Sequence, residues 1–134
     1  MAFVEGRSVS LVLDAGALVA LERNDRTLWR RVDDAHLKGS APLTHGGIVA
    51  QVWRGGSGRQ ARLAMALLGT LVVPLDNDLG RRAGVLLART GLVDAIDAAL
   101  VALCRPGDQI VTSDPADIDA LAEAARLDVD ILPV

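Results

Sequence analysis

The chain is poor in the residue types on which several common classes of protein depend. Of its 134 residues only 2% are aromatic, none is a tyrosine, and Cys104 is the single cysteine. One cysteine excludes an internal disulfide framework and a multi-cysteine zinc site. The apolar runs fall short of the roughly 18 residues that a membrane-spanning helix needs. We therefore expect a cytoplasmic protein without a membrane segment, whose core is built from Leu, Val, Ile and Ala.

The charged residues come from an unusually narrow choice of types. Aspartate supplies 14 of the 17 acidic residues and arginine 13 of the 14 basic ones, so that Lys38 is the only lysine. The net charge of −3 provides no overall basic field of the kind that many nucleic-acid-binding proteins carry. High Arg and Ala usage is typical of a GC-rich genome, but many aspartates fall where one predicted element meets the next. Some of these will be helix caps, and the others need a different explanation.

Buried strands and helices alternate along the sequence. Apolar runs predict strands at 8–13, 41–44, 71–75, 108–114 and 129–134. Helices are predicted at 15–22, 24–39, 47–56, 59–68, 77–91, 91–103 and 115–128. No Ser- or Pro-rich linker divides the chain, so we expect a single domain over residues 1–134. Nearly continuous apolar strands separated by helices favour an α/β fold of three layers, a mostly parallel sheet of about five strands with helices on both faces.

Aspartates follow two of the predicted strands. Asp14 comes directly after "SLVL" and Asp114 directly after "IVTS", and ligands of parallel sheets bind beyond the carboxyl ends of the strands. Asp94 and Asp97 lie three residues apart in "GLVDAIDAALVAL", on the same side of a predicted helix. Gathered carboxylates repel one another until a cation neutralises them, and Mg²⁺ or Mn²⁺ prefers oxygen ligands. We therefore predict a metal site formed by Asp14, Asp97 and Asp114, with Asp94 as a candidate further ligand, where an ion would activate water for phosphodiester cleavage.

The aspartates also have a simpler explanation. Asp14, Asp94 and Asp114 each stand where a predicted helix begins, so each can be an N-terminal cap. Asp97 is harder to explain in this way, because an apolar helix continues around it. Other chemistries lack support, since "GGSGRQ" has neither the Lys nor the following Ser/Thr of a phosphate-binding loop and no G-x-S-x-G nucleophile elbow is present. His36 and His45 lack metal-ligand spacing, and we expect both on the surface or in loops.

Three segments taken in order, "LVLDAGALVALER", "IDAALVAL" and "IVTSD", resemble the PIN-domain family, and in particular the VapC toxins of bacterial toxin–antitoxin pairs. The resemblance spans nearly the whole chain and matches the acidic residues of the family to Asp14, Asp97 and Asp114. Asp94 and Asp117 lie nearby, where relatives carry further acidic groups. The resemblance implies a PIN-like fold and a Mg²⁺-dependent (or Mn²⁺-dependent) endonuclease that cleaves structured RNA such as tRNA or rRNA. It also implies a homodimer that is inhibited by a small VapB-type antitoxin.

One position departs from the pattern of the family. Relatives usually present a Glu near the end of the helix after the second strand, where this chain has Gln51 in "GIVAQVWRGG". An amide is a poorer ligand for Mg²⁺ than a carboxylate, although it can still orient a water, and Gln51 therefore stays among the catalytic candidates. A simpler reading makes Gln51 only a polar residue at a helix edge. The alternative function is a weakly active or inactive PIN-like module that binds RNA or a protein.

RNA contacts are expected from arginines. Arg54, Arg59 and Arg62 cluster just beyond Gln51, and guanidinium groups bind phosphates in a bidentate manner. Trp53 can stack on a base, although a lone Trp in an apolar helix more often belongs to the core. A receiver or phosphatase role is the least favoured, because a receiver needs a lysine late in the chain.

Overall fold

The computed structural model describes residues 9–134. Its strands are β1 (Leu11–Leu13), β2 (Leu43–His45), β3 (Leu71–Val73), β4 (Gln109–Thr112) and β5 (Asp130–Pro133). Its helices are α1 (Ala15–Glu22), α2 (Arg26–Leu37), α3 (Gly46–Val52), α4 (Ala61–Leu68), α5 (Asn77–Thr90), α6 (Ala95–Leu103) and α7 (Pro115–Ala124), with a 3₁₀ turn at Gly58–Gln60. In this part of the chain, no helix combines the length and the apolar character needed to cross a membrane.

The strands form one sheet in the order β3-β2-β1-β4-β5, and every neighbouring pair is parallel. Helices α2, α3 and α4 pack against α1, while α5, α6 and α7 pack against one another. The two helical groups make the outer layers of a three-layer fold. The predicted α/β architecture is therefore confirmed, with a sheet that is parallel throughout its described strands.

The middle of the sheet is buried on both faces. Val12 and Leu13 of β1 are fully buried, as are Ile110 and Val111 of the neighbouring β4. This burial explains why the central strands read as continuous apolar runs, since a strand with helices on both faces has no polar side. The edge strand β3 differs, because the side chain of Leu71 is 59% exposed.

The helix expected over 47–56 ends earlier, at Val52. Trp53 is extended, and Gly55 and Gly56 have positive φ angles. The reason is a side chain from further along the chain. The Gln60 amide is buried, and its oxygen accepts hydrogen bonds from the backbone N–H groups of Arg54 and Gly56. These N–H groups bond to an amide instead of a helix carbonyl, so the chain forms a loop there.

Two other helices also begin later than predicted. The expected helix at 59–68 begins as the 3₁₀ turn and becomes α-helical only at Ala61. The helix expected over 91–103 begins at Ala95, because the Asp94 carboxylate caps it. The first strand was predicted from Ser8, which lies outside the described residues.

A buried carboxylate fastens the amino ends of the two central strands. Asp108 is 1% exposed, and its two oxygens accept hydrogen bonds from the backbone N–H groups of Ser10 and Arg105. The backbone N–H of Gln109 in turn donates to the Ser10 carbonyl. Asp108 therefore helps to set the register of β1 against β4, from which the opposite ends of both strands take their positions.

We predict that Asp108→Ala lowers the free energy of unfolding by about 3 kcal/mol, because one buried and one partly buried N–H group lose a charged acceptor. Urea unfolding measures this change. Asp128→Ala is the control, since Asp128 is a nearby exposed aspartate, and it should change stability by less than about 0.5 kcal/mol. Similar losses in the two variants would contradict the role of Asp108.

Candidate functional site

The candidate site lies at the carboxyl ends of β1 and β4, the two adjacent central strands. From β1 the sheet continues through β2 on one side and through β4 on the other. Where the strand order reverses in this way, a crevice opens beyond the carboxyl ends of the strands, and parallel α/β proteins bind ligands in that crevice. Asp14 follows β1 directly, and Asp114 stands two residues after β4. The structure thus brings the first and last of the predicted acidic residues to the same edge.

Asp14 holds this edge together. Its side chain is only 3% exposed, one carboxylate oxygen accepts from the N–H of Ala17 at 2.8 Å, and the other accepts from the N–H of Ser113 at 3.1 Å. The first contact confirms the cap explanation. The second goes beyond it, because it joins the end of β1 to the segment that carries Asp114. Gly16 permits this approach, since a Cβ there would lie 2.2 Å from the Ser113 hydroxyl oxygen.

Asp94 is the N-terminal cap of α6. One of its carboxylate oxygens accepts from the N–H groups of Ile96 and Asp97, both at 3.0 Å. Its side chain is exposed. The cap explanation is confirmed for Asp94, and its further role as a metal ligand stays a prediction.

Asp97 stands in the first turn of α6, in the electrostatic field of the other acids. Its pKa is raised from the ordinary value of 3.8 to about 7, first by burial and then by the charges of Asp94, Asp14, Asp114 and Asp117, in that order. None of these five carboxylates forms an ion pair with a basic side chain in residues 9–134. Within the part of the chain that the structure describes, no arginine or lysine therefore pairs with these carboxylates to balance their repulsion.

Asp114 and Asp117 interact directly with each other. The Asp114 side chain makes no capping hydrogen bond to α7, so the cap explanation is wrong for this residue. Instead its own N–H donates to the Thr112 hydroxyl at 2.8 Å. The pKa of Asp117 is raised chiefly by the charge of Asp114, then by burial, by a hydrogen bond to the Asp114 carboxyl and by Asp94. Asp117 thus belongs to the acidic group, which places it beside the three predicted ligands.

The chemistry of this donor set fits a hard divalent cation. It consists of carboxylate oxygens, which Mg²⁺ and Mn²⁺ prefer, and a cation would relieve the repulsion that raises the pKa of Asp97. Within the described residues, no three His, Cys, Asp or Glu side chains already stand as a ligand set. The coordination by Asp14, Asp97, Asp114 and Asp94 therefore stays a prediction.

The other predicted site residues are exposed on the surface. Gln51 is exposed in the last turn of α3, a helix that packs against α1. Arg54 is exposed, but its guanidinium donates to the carbonyls of Ala50 and Trp53 and so closes the end of α3. Arg59 in the 3₁₀ turn and Arg62 in α4 are exposed, with no hydrogen bond or ion pair to the described part of the chain. RNA binding by these arginines stays a prediction.

His45 is the residue that sequence reasoning misplaced. It was expected on the surface or in a loop, but it is fully buried at the end of β2 and caps α3. Nδ1 accepts from the N–H of Gly47 at 3.0 Å, and Nε2 donates to the carbonyl of Ile96, since a carbonyl can only accept, at 2.9 Å. Burial lowers the pKa of His45, in agreement with a neutral ring. The available signal was its position between a strand and a helix, the place that Asp14 has after β1.

We predict that Asp97→Asn stabilises the metal-free protein at pH 8. The pKa of Asp97 is about 7 in the folded chain against 3.8 ordinarily, so the folded state binds its proton more tightly. The stability that this proton brings is complete below pH 4 and is lost as the pH rises through 7. An asparagine does not lose it, and after solvent screening the gain at pH 8 is about 1 kcal/mol. Urea unfolding with EDTA at pH 4 and pH 8 measures the difference.

The matched control is Asp119→Asn, the same change on the exposed side of α7. It should show no comparable gain between pH 4 and pH 8, because Asp119 is not among the charges that act on Asp97. Asp97→Asn with the same stability as the natural chain at both pH values would contradict a repulsive carboxylate group.

Comparisons with known proteins support the fold. The sequence matches no protein-family model and no curated protein. Among solved structures, the chain is similar to the crystal structure of VapBC2 from Rickettsia felis bound to a DNA fragment from their promoter, with a TM-score of 0.68. The match covers 92% of this chain and 98% of that chain, at 12% sequence identity. At such low identity the similarity shows a shared fold, and it confirms the PIN-like architecture that was predicted.

Proposed function

We propose that this chain is a Mg²⁺-dependent RNA endonuclease that acts in the cytoplasm as the toxin of a VapBC-type toxin–antitoxin pair. The observation that carries the proposal is the group of carboxylates around Asp97 at the carboxyl ends of β1 and β4, which form no ion pair with a basic side chain within residues 9–134. A cation-binding edge is what hydrolysis of a phosphodiester needs when no nucleophilic side chain is available. The similarity of the fold to a VapBC2 structure supports the same proposal.

In the proposed site, the cation would be held by Asp97 and Asp114 together with Asp14, and Asp94 is a candidate further ligand. When bound, Mg²⁺ would supply Lewis-acid stabilisation of the phosphate charge and a lowered pKa for water. Asp14 contributes rigidity, because its two backbone hydrogen bonds hold it in place before any ligand arrives. The raised pKa of Asp97 favours its protonated form in the metal-free chain, and cation binding would favour release of that proton.

The proposed partners follow from the surface chemistry and from the similar structure. Exposed Arg59 and Arg62 would bind the phosphates of an RNA such as tRNA or rRNA. Arg54 would add to this surface from the end of α3. A VapB-type antitoxin is a proposed partner because the similar structure is named VapBC2. A second copy of the chain is proposed because the resemblance to VapC toxins implies a homodimer.

We expect the purified chain to cleave RNA in the presence of Mg²⁺ or Mn²⁺ and to lose this activity when EDTA is added. Asp97→Asn should lower the rate by more than about 100-fold. Loss of a residue that only positions a metal ligand costs roughly 10- to 100-fold, and loss of a ligand itself should cost more. The measurement is the initial rate of cleavage of a structured RNA, with the metal titrated.

Asp119→Asn is again the matched control and should cleave at the natural rate, because it removes one carboxylate outside the group. Cleavage that continues in EDTA would contradict the proposal, as would full activity in Asp97→Asn. Binding of RNA without any turnover would favour the alternative, a PIN-like binding module.

A second experiment, the substitution of Gln51, tests whether the chain is a nuclease or a PIN-like binding module. We expect Gln51→Glu to raise the rate of cleavage at low Mg²⁺, because a carboxylate is a better ligand for the ion than an amide. Gln109→Glu makes the same chemical change at the opposite end of the sheet, at the amino end of β4, and should leave the rate unchanged. An unchanged rate in Gln51→Glu would remove Gln51 from the site.

A further inference from the structure

His45 joins the beginnings of two helices that carry candidate site residues. Its Nδ1 accepts from the N–H of Gly47 in the first turn of α3, the helix that carries Gln51. Its Nε2 donates to the carbonyl of Ile96 in the first turn of α6, the helix that carries Asp97. The His45 residue itself is fully buried.

The contact holds one particular peptide unit from both sides. The carbonyl of Ile96 and the N–H of Asp97 belong to the same planar peptide group. His45 donates to the carbonyl at 2.9 Å, and the Asp94 carboxylate accepts from the N–H at 3.0 Å. Hydrogen bonds on both sides restrain the rotation of this planar unit and thereby the Cα position of Asp97.

The two helix beginnings also touch directly. A Cβ built on Gly47 would lie 2.7 Å from the Ile96 Cδ1 and 2.9 Å from the His45 Cε1. Only a glycine leaves room there for both the imidazole and the Ile96 side chain. The close approach makes the imidazole bridge short and leaves α6 little freedom to shift relative to α3.

We propose that His45 is a positioning residue for the metal site: by fixing the Ile96–Asp97 peptide unit against the end of β2, it places the Asp97 carboxylate opposite Asp14 and Asp114 for cation binding. This inference rests on the metal site of the proposed function. It assigns to His45 a role through hydrogen bonds alone, with no contact to cation or substrate.

Two conservative variants separate the two bonds of the ring. In His45→Asn, the amide oxygen replaces Nδ1 and keeps the cap of α3, but nothing reaches Ile96. In His45→Gln, the amide nitrogen takes the place of Nε2 and reaches Ile96, while the cap is lost. We expect Mn²⁺ affinity to fall about 10-fold in His45→Asn and to stay near the natural value in His45→Gln, although His45→Gln melts at a lower temperature.

Mn²⁺ binding is measured on the full chain from the electron paramagnetic resonance signal of free Mn²⁺, and stability from thermal unfolding. Asp25→Ala serves as a stability control, because Asp25 caps α2 and is not among the charges that act on Asp97. It should melt at a lower temperature and keep its Mn²⁺ affinity. Affinity that merely follows melting temperature across the three variants would overturn the proposal, as would natural affinity in His45→Asn or a natural chain that binds no Mn²⁺.

The failure of this inference is distinct from the failure of the proposed function. If the natural chain cleaves RNA but His45→Asn keeps its Mn²⁺ affinity, His45 has no positioning role and the nuclease proposal stands. If His45→Asn loses affinity while the natural chain cleaves no RNA, His45 positions a metal site that serves another reaction.

Discussion

The candidate site depends on the two hydrogen bonds that the Asp14 carboxylate accepts from backbone N–H groups. Its two oxygens bind the N–H of Ala17 and the N–H of Ser113, so one buried side chain begins α1 and joins the ends of β1 and β4. The close packing of Gly16 against Ser113 makes this junction possible. Asp114 is the residue after Ser113, so the same contact also places Asp114 near Asp14.

The acidic group opposes the stability of the chain that carries it. Burial and four neighbouring carboxylates raise the pKa of Asp97, and within residues 9–134 no basic side chain pairs with any member of the group. The aliphatic core and buried polar contacts elsewhere offset this cost. Under the proposed function, a bound cation would neutralise this repulsion between the carboxylates.

Three buried polar side chains hold the elements that surround this edge. Asp108 fastens the amino ends of β1 and β4, His45 fastens α3 to α6, and Gln60 shapes the loop that carries Arg54. Each one bonds to backbone groups that are far away in the sequence or outside regular structure. Buried side chains of this kind are costly unless every bond is made, so they specify one arrangement of the elements rather than several.

The sequence by itself determined the elements, the parallel sheet and which acids stand at strand ends, because apolar periodicity and strand–helix alternation are local patterns. It also identified Asp97 as the carboxylate that an apolar helix does not explain. Only the tertiary structure decided that Asp94 and Asp14 are caps while Asp114 is not, that Asp117 joins the group, and that His45 is buried. These properties depend on which backbone N–H or carbonyl group comes within about 3 Å of a side chain. Such distances between residues as far apart as His45 and Ile96 are set by packing and have no signature in the local sequence.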